Sequence, residues 1–410
     1  MATNVLIVGG GPAGMTAAVA ASAGGAVNVT IVDDNPQLGG QIWRAELGRI
    51  KSAEAREIIA ALDQQKIKIV NNAAVFASDS NSLLAETPSG KIRIGYQKLI
   101  LATGARERFL PFPGWTLPNV FGAAGLQALV KGGMDVRDNR VVVAGTGPLL
   151  LVVAEYLATK GARVVAICEQ TSNRKLDRFA LGLWRTPSKI VQGISLRGKL
   201  RGVPYYRNCW VTAADGESEL QRVTIKRFDK TEDIECDMLA CGFHLVPNIE
   251  LAQLLGCQID DGYVVVDDYQ QTSVSDVYCA GEPTGIGGVD GALVEGKIAG
   301  FAATDQYDQA ASLLRTRKRT TAFAKALDQA FELRDELKIL AANSTIVCRC
   351  EDVQYGKLAE YRDFRMAKLQ TRCGMGACQG RICGASVEFL FGWEDRSVRP
   401  PMFPVKMENL

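Results

Sequence analysis

An apolar run, Val5–Val8, breaks into Gly9-Gly-Gly-Pro-Ala-Gly14 and passes into the alanine-rich stretch 15–23. Gly9, Gly11 and Gly14 match G-x-G-x-x-G, with Pro12 and Ala13 between the second and third glycines. Each glycine has its own reason. The first makes a tight turn, the second lets a pyrophosphate approach the backbone, and the third lets the helix lie close to the strand. The helix N-terminus adds positive partial charge facing the phosphates. A second apolar run, 29–32, ends at Asp33-Asp34, about 20 residues on, where a carboxylate can hold a ribose hydroxyl. The apolar runs are continuous rather than alternating, as in parallel strands covered on both faces.

The pattern recurs. Arg140–Ala144 leads into Gly145-Thr-Gly147-Pro, a helical stretch at 149–159, and a strand-like run ending at Cys168-Glu169. Two such units predict two nucleotide-binding modules. In the second, Leu150 stands at the third glycine position, and its side chain is expected to push the helix off the strand and crowd a pyrophosphate. Glu169 would still suit a ribose hydroxyl and NAD over NADP, so a structural domain and a working adenine-nucleotide site both stay open. Between the units, 98–104 reads as a strand ending in Ala102-Thr103-Gly104, and 263–281 as a strand entering Ala280-Gly281-Glu282. The expected division is 1–112 and 241–303 for the first nucleotide-binding domain, 113–240 for the second, 304–342 for a helical linker and 343–410 for a small terminal domain.

Composition removes several function classes. Lys+Arg 47 against Asp+Glu 45 leaves a net charge of +2, so no basic footprint for nucleic acid exists. The single histidine, His244, rules out a histidine-rich metal site and paired catalytic histidines. It reads as a satisfied, partly buried side chain rather than a proton carrier. The N-terminus has no secretion signal and no run approaches a membrane span, so a cytoplasmic location is expected, with peripheral association at the inner face of the membrane left open. Thiols are then reduced, and the 11 cysteines, five of them within 348–383, read as metal-binding or redox-active. Cys348-Arg-Cys350 and Cys378-Gln-Gly-Arg-Ile-Cys383, with Cys373 upstream, suit a tetrathiolate site for zinc or an iron–sulfur cluster.

The first Gly-rich unit, Gly39-Gly40-Gln41, Ala102-Thr103-Gly104 and Ala280-Gly281-Glu282 together resemble the glutathione-reductase-like flavoproteins with two dinucleotide-binding domains. That resemblance implies an α/β fold of two Rossmann-like domains and FAD held by Gly9, Gly11, Pro12, Ala13, Gly14, Asp33, Asp34, Gly40, Gln41, Ala102, Thr103, Gly104, Gly281 and Glu282. Most members carry Asp where this chain has Glu282. Gly145, Gly147 and Glu169 would form the second site, for ATP or NAD. Thr371-Arg-Cys-Gly-Met-Gly-Ala-Cys-Gln-Gly-Arg-Ile-Cys383 resembles the bacterioferritin-associated-ferredoxin-like [2Fe-2S] domain, which implies Cys348, Cys350, Cys378 and Cys383 as ligands. Cys373 is then the fifth cysteine, and a rival set exchanges Cys383 for Cys373.

The two modules in this order resemble the α subunit of heteromeric dye-linked dehydrogenases for proline, hydroxyproline or opines, and the corresponding subunit of hydrogen cyanide synthase. What this implies is an electron-transfer subunit. Its partners would be an FAD-containing β subunit, related to D-amino-acid oxidase, that oxidises the substrate, and in some cases a small γ subunit. FMN would lie at a subunit interface, and a quinone or cytochrome would accept the electrons. No catalytic residue is assigned. Arg44 and Arg106 lie near the flavin segments, but no enclosing lid is evident. A free-standing NAD(P)H-dependent flavin/iron–sulfur reductase and a non-enzymatic redox sensor are the alternatives.

Overall fold

The computed structural model describes the chain apart from residues 1–2, 24, 26, 44–52, 66 and 395–397; Arg44 therefore lies outside the described residues. The chain forms two compact units. One comprises Met1–Arg106, Pro247–Lys325 and Ser397–Leu410, the other Glu107–Val246 and Ala326–Arg396.

Both units follow one plan. In the first, five parallel strands run in the order Val277–Cys279, Lys98–Leu101, Thr3–Val8, Val27–Val32, Lys68–Val70. In the second the order is Val120–Gly122, Met238–Phe243, Arg140–Thr146, Arg163–Glu169, Tyr205–Arg207, again all parallel. Each unit adds a three-stranded antiparallel meander, at 74–95 in the first and 209–235 in the second. The expected α/β architecture of two Rossmann-like sheets is thus present, and the central strands are sealed as their apolar runs require: Val5, Leu6, Ile7, Val141, Val142 and Val143 are all buried.

In the first unit the Pro12–Ser22 helix packs on the Gly288–Ala302 helix through small residues. A Cβ placed on Gly296 would lie 2.2 Å from the Ala13 carbonyl oxygen, and one on Gly300 would lie 2.3 Å from that of Ala17. Only glycine permits this approach.

The terminal segment divides between the units. Met402 is buried beside the first unit's meander, its N–H bonding to the Phe76 carbonyl (2.8 Å), and Glu86 accepts from the Lys406 N–H (3.0 Å) and the Asn409 side chain (2.7 Å). The expected 343–410 domain thus loses its tail to the first unit, because these contacts hold the tail there. Residues 304–342 form one helix, Tyr307–Ala330, and a short helical turn, Asp335–Ile339.

In the second unit the Glu107 carboxylate caps the helix Ala123–Lys131, accepting the Ala124 and Gly125 N–H groups at 2.9 and 3.3 Å. Burial pushes its pKa up to about 7, against the lowering pull of those bonds. A carboxyl whose folded pKa exceeds its unfolded value favours the fold while protonated. Stability from this group is therefore lost as pH rises from the ordinary carboxylate range through 7, by up to about 3 kcal/mol. Glu107→Gln is expected to flatten denaturant stability between those limits; an unchanged pH slope would show that the carboxyl titrates normally.

Candidate functional site: a flavin cradle and a thiol cluster

Four distant segments meet at the carboxyl ends of the first sheet, where open α/β sheets bind ligands. The Gly9 N–H donates to the Val32 carbonyl (2.8 Å), Gly39 to Gly10 (2.8 Å), Ala102 to Val8 (2.8 Å) and Ala280 to Leu101 (2.9 Å). The glycines separate by role. A Cβ on Gly9 would lie 2.1 Å from the Ala102 oxygen, and one on Gly14 would lie 1.9 Å from the Gly9 oxygen, so both serve close packing. A Cβ on Gly11 would meet only the Gly40 Cα, at 3.9 Å, leaving the face a pyrophosphate needs. Pro12 and Ala13 open the helix, with Pro12 in its first turn.

Asp33 is buried at the end of its strand and accepts the N–H groups of Gly10 and Asn35, at 2.5 and 2.7 Å. Asp34 is exposed beside it and takes the Asn35 side-chain amide at 2.6 Å. Gly40 and Gln41 open a four-residue helix, and Gly40 is in the left-handed region (φ 57°) against Gly11.

The Thr103-Gly104 turn is locked from the other crossing. Thr103 donates to the Asn248 carbonyl (2.6 Å), the Asn248 amide donates back to the Thr103 carbonyl (2.9 Å), and the Asn248 N–H donates to Gly104 (3.0 Å). Arg106 is committed there as well, to the Asn248 side chain and the Glu250 carboxylate, both at 2.8 Å.

Gly281 sits at φ 83°, and its N–H is held by Glu295 (2.9 Å), which also accepts from Thr284 (2.8 Å). Burial raises the Glu295 carboxyl above the ordinary range. Sequence reasoning missed Glu295, although it is a carboxylate in an otherwise small and apolar helix face. Glu282 uses one oxygen on the Gly288 N–H (3.0 Å), so the longer acid reaches the start of the next helix.

The second Gly-rich turn is built alike and finished differently. A Cβ on Gly145 would lie 1.9 Å from the Gly242 oxygen, as Gly9 does against Ala102. Glu169 is fully buried and accepts the N–H groups of Gly147 and Thr171, each at 2.8 Å. Leu150 does not act as expected. It is buried in the core with Ala123, Val143 and Val153 rather than over the turn. What lies over Gly147 is Phe331, whose Cγ would be 3.9 Å from a Cβ on that glycine. His244, in the left-handed region (φ 69°), donates from Nε2 to the Phe331 carbonyl at 2.7 Å, and burial lowers its pKa. It is a satisfied histidine in its neutral form.

The cysteine segment belongs to this second unit. The short strand Ile346–Cys348 is pinned by the Trp115 indole, which donates to the Ile346 carbonyl (2.6 Å), and Ser386 donates to Phe109 (2.5 Å). The Phe364–Thr371 helix ends at Arg372 in the left-handed region, delivering Cys373; the Cys383–Phe391 helix begins at Cys383. The Sγ atoms of Cys348, Cys373 and Cys383 all lie within 4.8 Å of one another, and the three residues are buried. Cys378, half-buried, continues the chain of thiols to Cys383 and to the exposed Cys350. A Cβ on Gly376 would lie 2.3 Å from the Cys350 Cβ, so the turn between the cysteines closes only with glycine. Contacts from Cys373 and Cys383 hold the Cys348 thiol well below the usual range, and contact from Cys383 draws Cys378 down to about 5. A ready thiolate is what a soft metal requires. All five cysteines therefore gather, and the tight triple includes Cys373, which the resemblance left over. The other six are buried in the sheet cores, as structural cysteines are.

Residues 3–297 match the pyridine nucleotide-disulphide oxidoreductase family. The hydrogen cyanide synthase subunit HcnB of Pseudomonas aeruginosa is 31% identical, over 92% of this chain and 90% of that protein. An opine oxidase subunit of Agrobacterium tumefaciens is 28% identical over 99% of this chain and 91% of its own length. The fold of L-proline dehydrogenase from P. horikoshii superposes over 100% of this chain and 79% of that one, with a TM-score of 0.70 at 20% identity. The chain thus belongs to the pyridine nucleotide-disulphide oxidoreductase family, as a flavin-dependent oxidoreductase of the type that includes HcnB and the matching opine oxidase subunit.

Proposed function

We propose that this chain is the electron-transfer subunit of a heteromeric dehydrogenase for proline, hydroxyproline or an opine. It takes electrons from a D-amino-acid-oxidase-like β subunit and passes them to a quinone, cytochrome or dye. The observation that carries this reading is Arg106. An amino-acid or opine substrate needs a cation to clamp its carboxylate, and Arg106, two residues past the Thr103-Gly104 turn, is bound to Asn248 and Glu250 instead. Substrate positioning then falls to another chain. Both relatives are themselves subunits of larger enzymes, which agrees with that division.

FAD would be held by the Gly9–Gly14 turn, Asp33, Asp34, Gly40, Gln41, the Ala102–Gly104 turn, Gly281 and Glu282. Cys348, Cys350, Cys378 and Cys383 would hold a [2Fe-2S] cluster, with Cys373 as a neighbouring thiol. When bound, flavin and cluster together convert a two-electron input into single-electron outputs. The chain's residues do the rest. Glu295 fixes the Gly281 N–H in direction, Asn248 fixes the Thr103 turn, and the glycines admit the phosphates. No helix among the described residues is long and apolar enough to cross a membrane, so a membrane quinone would be met from the surface.

The test is dye reduction. The purified single chain, flavin-loaded, is expected to show none with proline, hydroxyproline or an opine, and activity should appear when a copurifying flavoprotein is added back. Misplacing a reacting carbon by ~1 Å costs on the order of 100-fold, so the contrast is large. Steady dye reduction by the single chain would overturn the proposal, and rapid NADH oxidation by it would favour a free-standing reductase.

A further inference from the structure

The second Gly-rich turn retains the parts of a dinucleotide cradle, and the chain's own residues occupy them. Phe331–Arg334 follows the Tyr307–Ala330 helix and crosses the carboxyl ends of the Arg140–Thr146 and Met238–Phe243 strands. The Phe331 carbonyl accepts from Thr146 Oγ1 at 3.1 Å and from His244 Nε2 at 2.7 Å. Phe331 is 4% exposed; its Cγ lies 3.9 Å from where a Cβ on Gly147 would stand, and its ring meets Phe179 edge-on at 5.2 Å. The Gln170 side chain pairs with the passing backbone in both directions. It donates to the Glu332 carbonyl (3.1 Å) and accepts the Arg334 N–H (3.3 Å). Lys175 then closes on Glu332 at 2.9 Å, and the Arg334 guanidinium lies 3.7 Å above the centre of the Trp210 ring.

We propose that Phe331–Arg334 is a built-in occupant of the second dinucleotide cradle, which makes this chain refuse NAD(P)H, NAD(P)+ and ATP at that site. Three places an adenine dinucleotide would touch there are engaged within the chain. Pyrophosphate would approach the free face of the second glycine, the side on which the Phe331 ring stands. Ribose would reach the acid ending the second strand; Glu169 binds the Gly147 and Thr171 N–H groups as Asp33 binds those of Gly10 and Asn35, and differs in also holding Thr146 Oγ1 and in being 0% exposed. Adenosine would run along the residues after that acid, and Gln170 and Thr171 are buried and bonded inward. A free ligand must first displace a tethered competitor, so its apparent affinity falls by the fraction of time the segment is out.

The inference does not depend on the proposed partner. It concerns one ligand site, whereas the dye assay concerns substrate oxidation, so either can fail alone. The experiment is calorimetric titration of the full flavin-loaded chain with NADH, NADPH, NAD+ and ATP at millimolar concentration. The unaltered chain is expected to show no saturable binding. Phe331→Ala and Gln170→Ala, which remove the cover and one of its holds, should each bind NADH at least about tenfold more tightly than the unaltered chain. Flavin content and thermal melting confirm that each variant is folded. A second measurement needs no variant: NADH should leave hydrogen exchange at 145–147 and 331–334 of the unaltered chain unchanged. Saturable NADH or ATP binding by the unaltered chain with protection at 145–147, or folded variants that still refuse every nucleotide, would overturn the inference.

Discussion

Cys378→Ser is expected to abolish the iron–sulfur signal: acid-labile sulfide and visible cluster absorption should both fall to background while flavin absorption stays. Cys378 belongs to both ligand sets compatible with the sequence. In the structure it also joins the buried Cys348–Cys373–Cys383 triple to the exposed Cys350. Serine at that point leaves a hydroxyl, which cannot supply the thiolate a soft metal needs. Cys373→Ser separates the two sets. If Cys348, Cys350, Cys378 and Cys383 are the ligands, that variant keeps its cluster. Iron lost from Cys373→Ser but retained in Cys383→Ser would establish the other set, and zinc without labile sulfide in anaerobically prepared protein would exclude a cluster altogether.

Gly296→Val should unfold the first unit more readily than any exposed substitution. The added Cβ would sit 2.2 Å from the Ala13 oxygen and 2.4 Å from Thr16 Oγ1, forcing apart the two helices beside the flavin turn. Overpacking against backbone costs about 3 kcal/mol or more. Because Ala13 opens the helix behind the Gly-rich turn, bound flavin should be lost together with stability. Gly193→Ala is the matched control: it lies in the Pro187–Lys199 helix with nothing within 4 Å of a new Cβ, and should stabilise by up to about 1 kcal/mol. Equal melting temperatures for the two variants would show that the helix contact does not limit stability.

Much of the fold is readable because its signals are local. A continuous apolar run followed by glycines at fixed spacing marks strand, turn and helix within a few residues, and it does so twice. The thiol cluster is readable from spacing alone, but which thiols touch is not: that depends on where Trp115 and Ser386 pin the segment. Leu150 shows the opposite limit. A side chain at a glycine position is expected to crowd the second cradle, whereas Leu150 turns into the core and Phe331, 185 residues from Thr146, stands beside the Gly147 turn. No local pattern announces a residue that acts across such a separation. Glu107 and Glu295 are hidden likewise, since each caps backbone made by a different stretch of chain.

The burial of the six cysteines outside 348–383 sets where this protein is chemically vulnerable. Peroxide or an electrophile diffusing up to the folded chain finds Cys350 exposed and Cys378 partly so, while the six cysteines outside 348–383 are buried. Oxidative damage to the cysteines would therefore begin at the thiol cluster and leave the nucleotide-binding cores intact. An aged preparation would keep its fold after the thiol cluster had been oxidised.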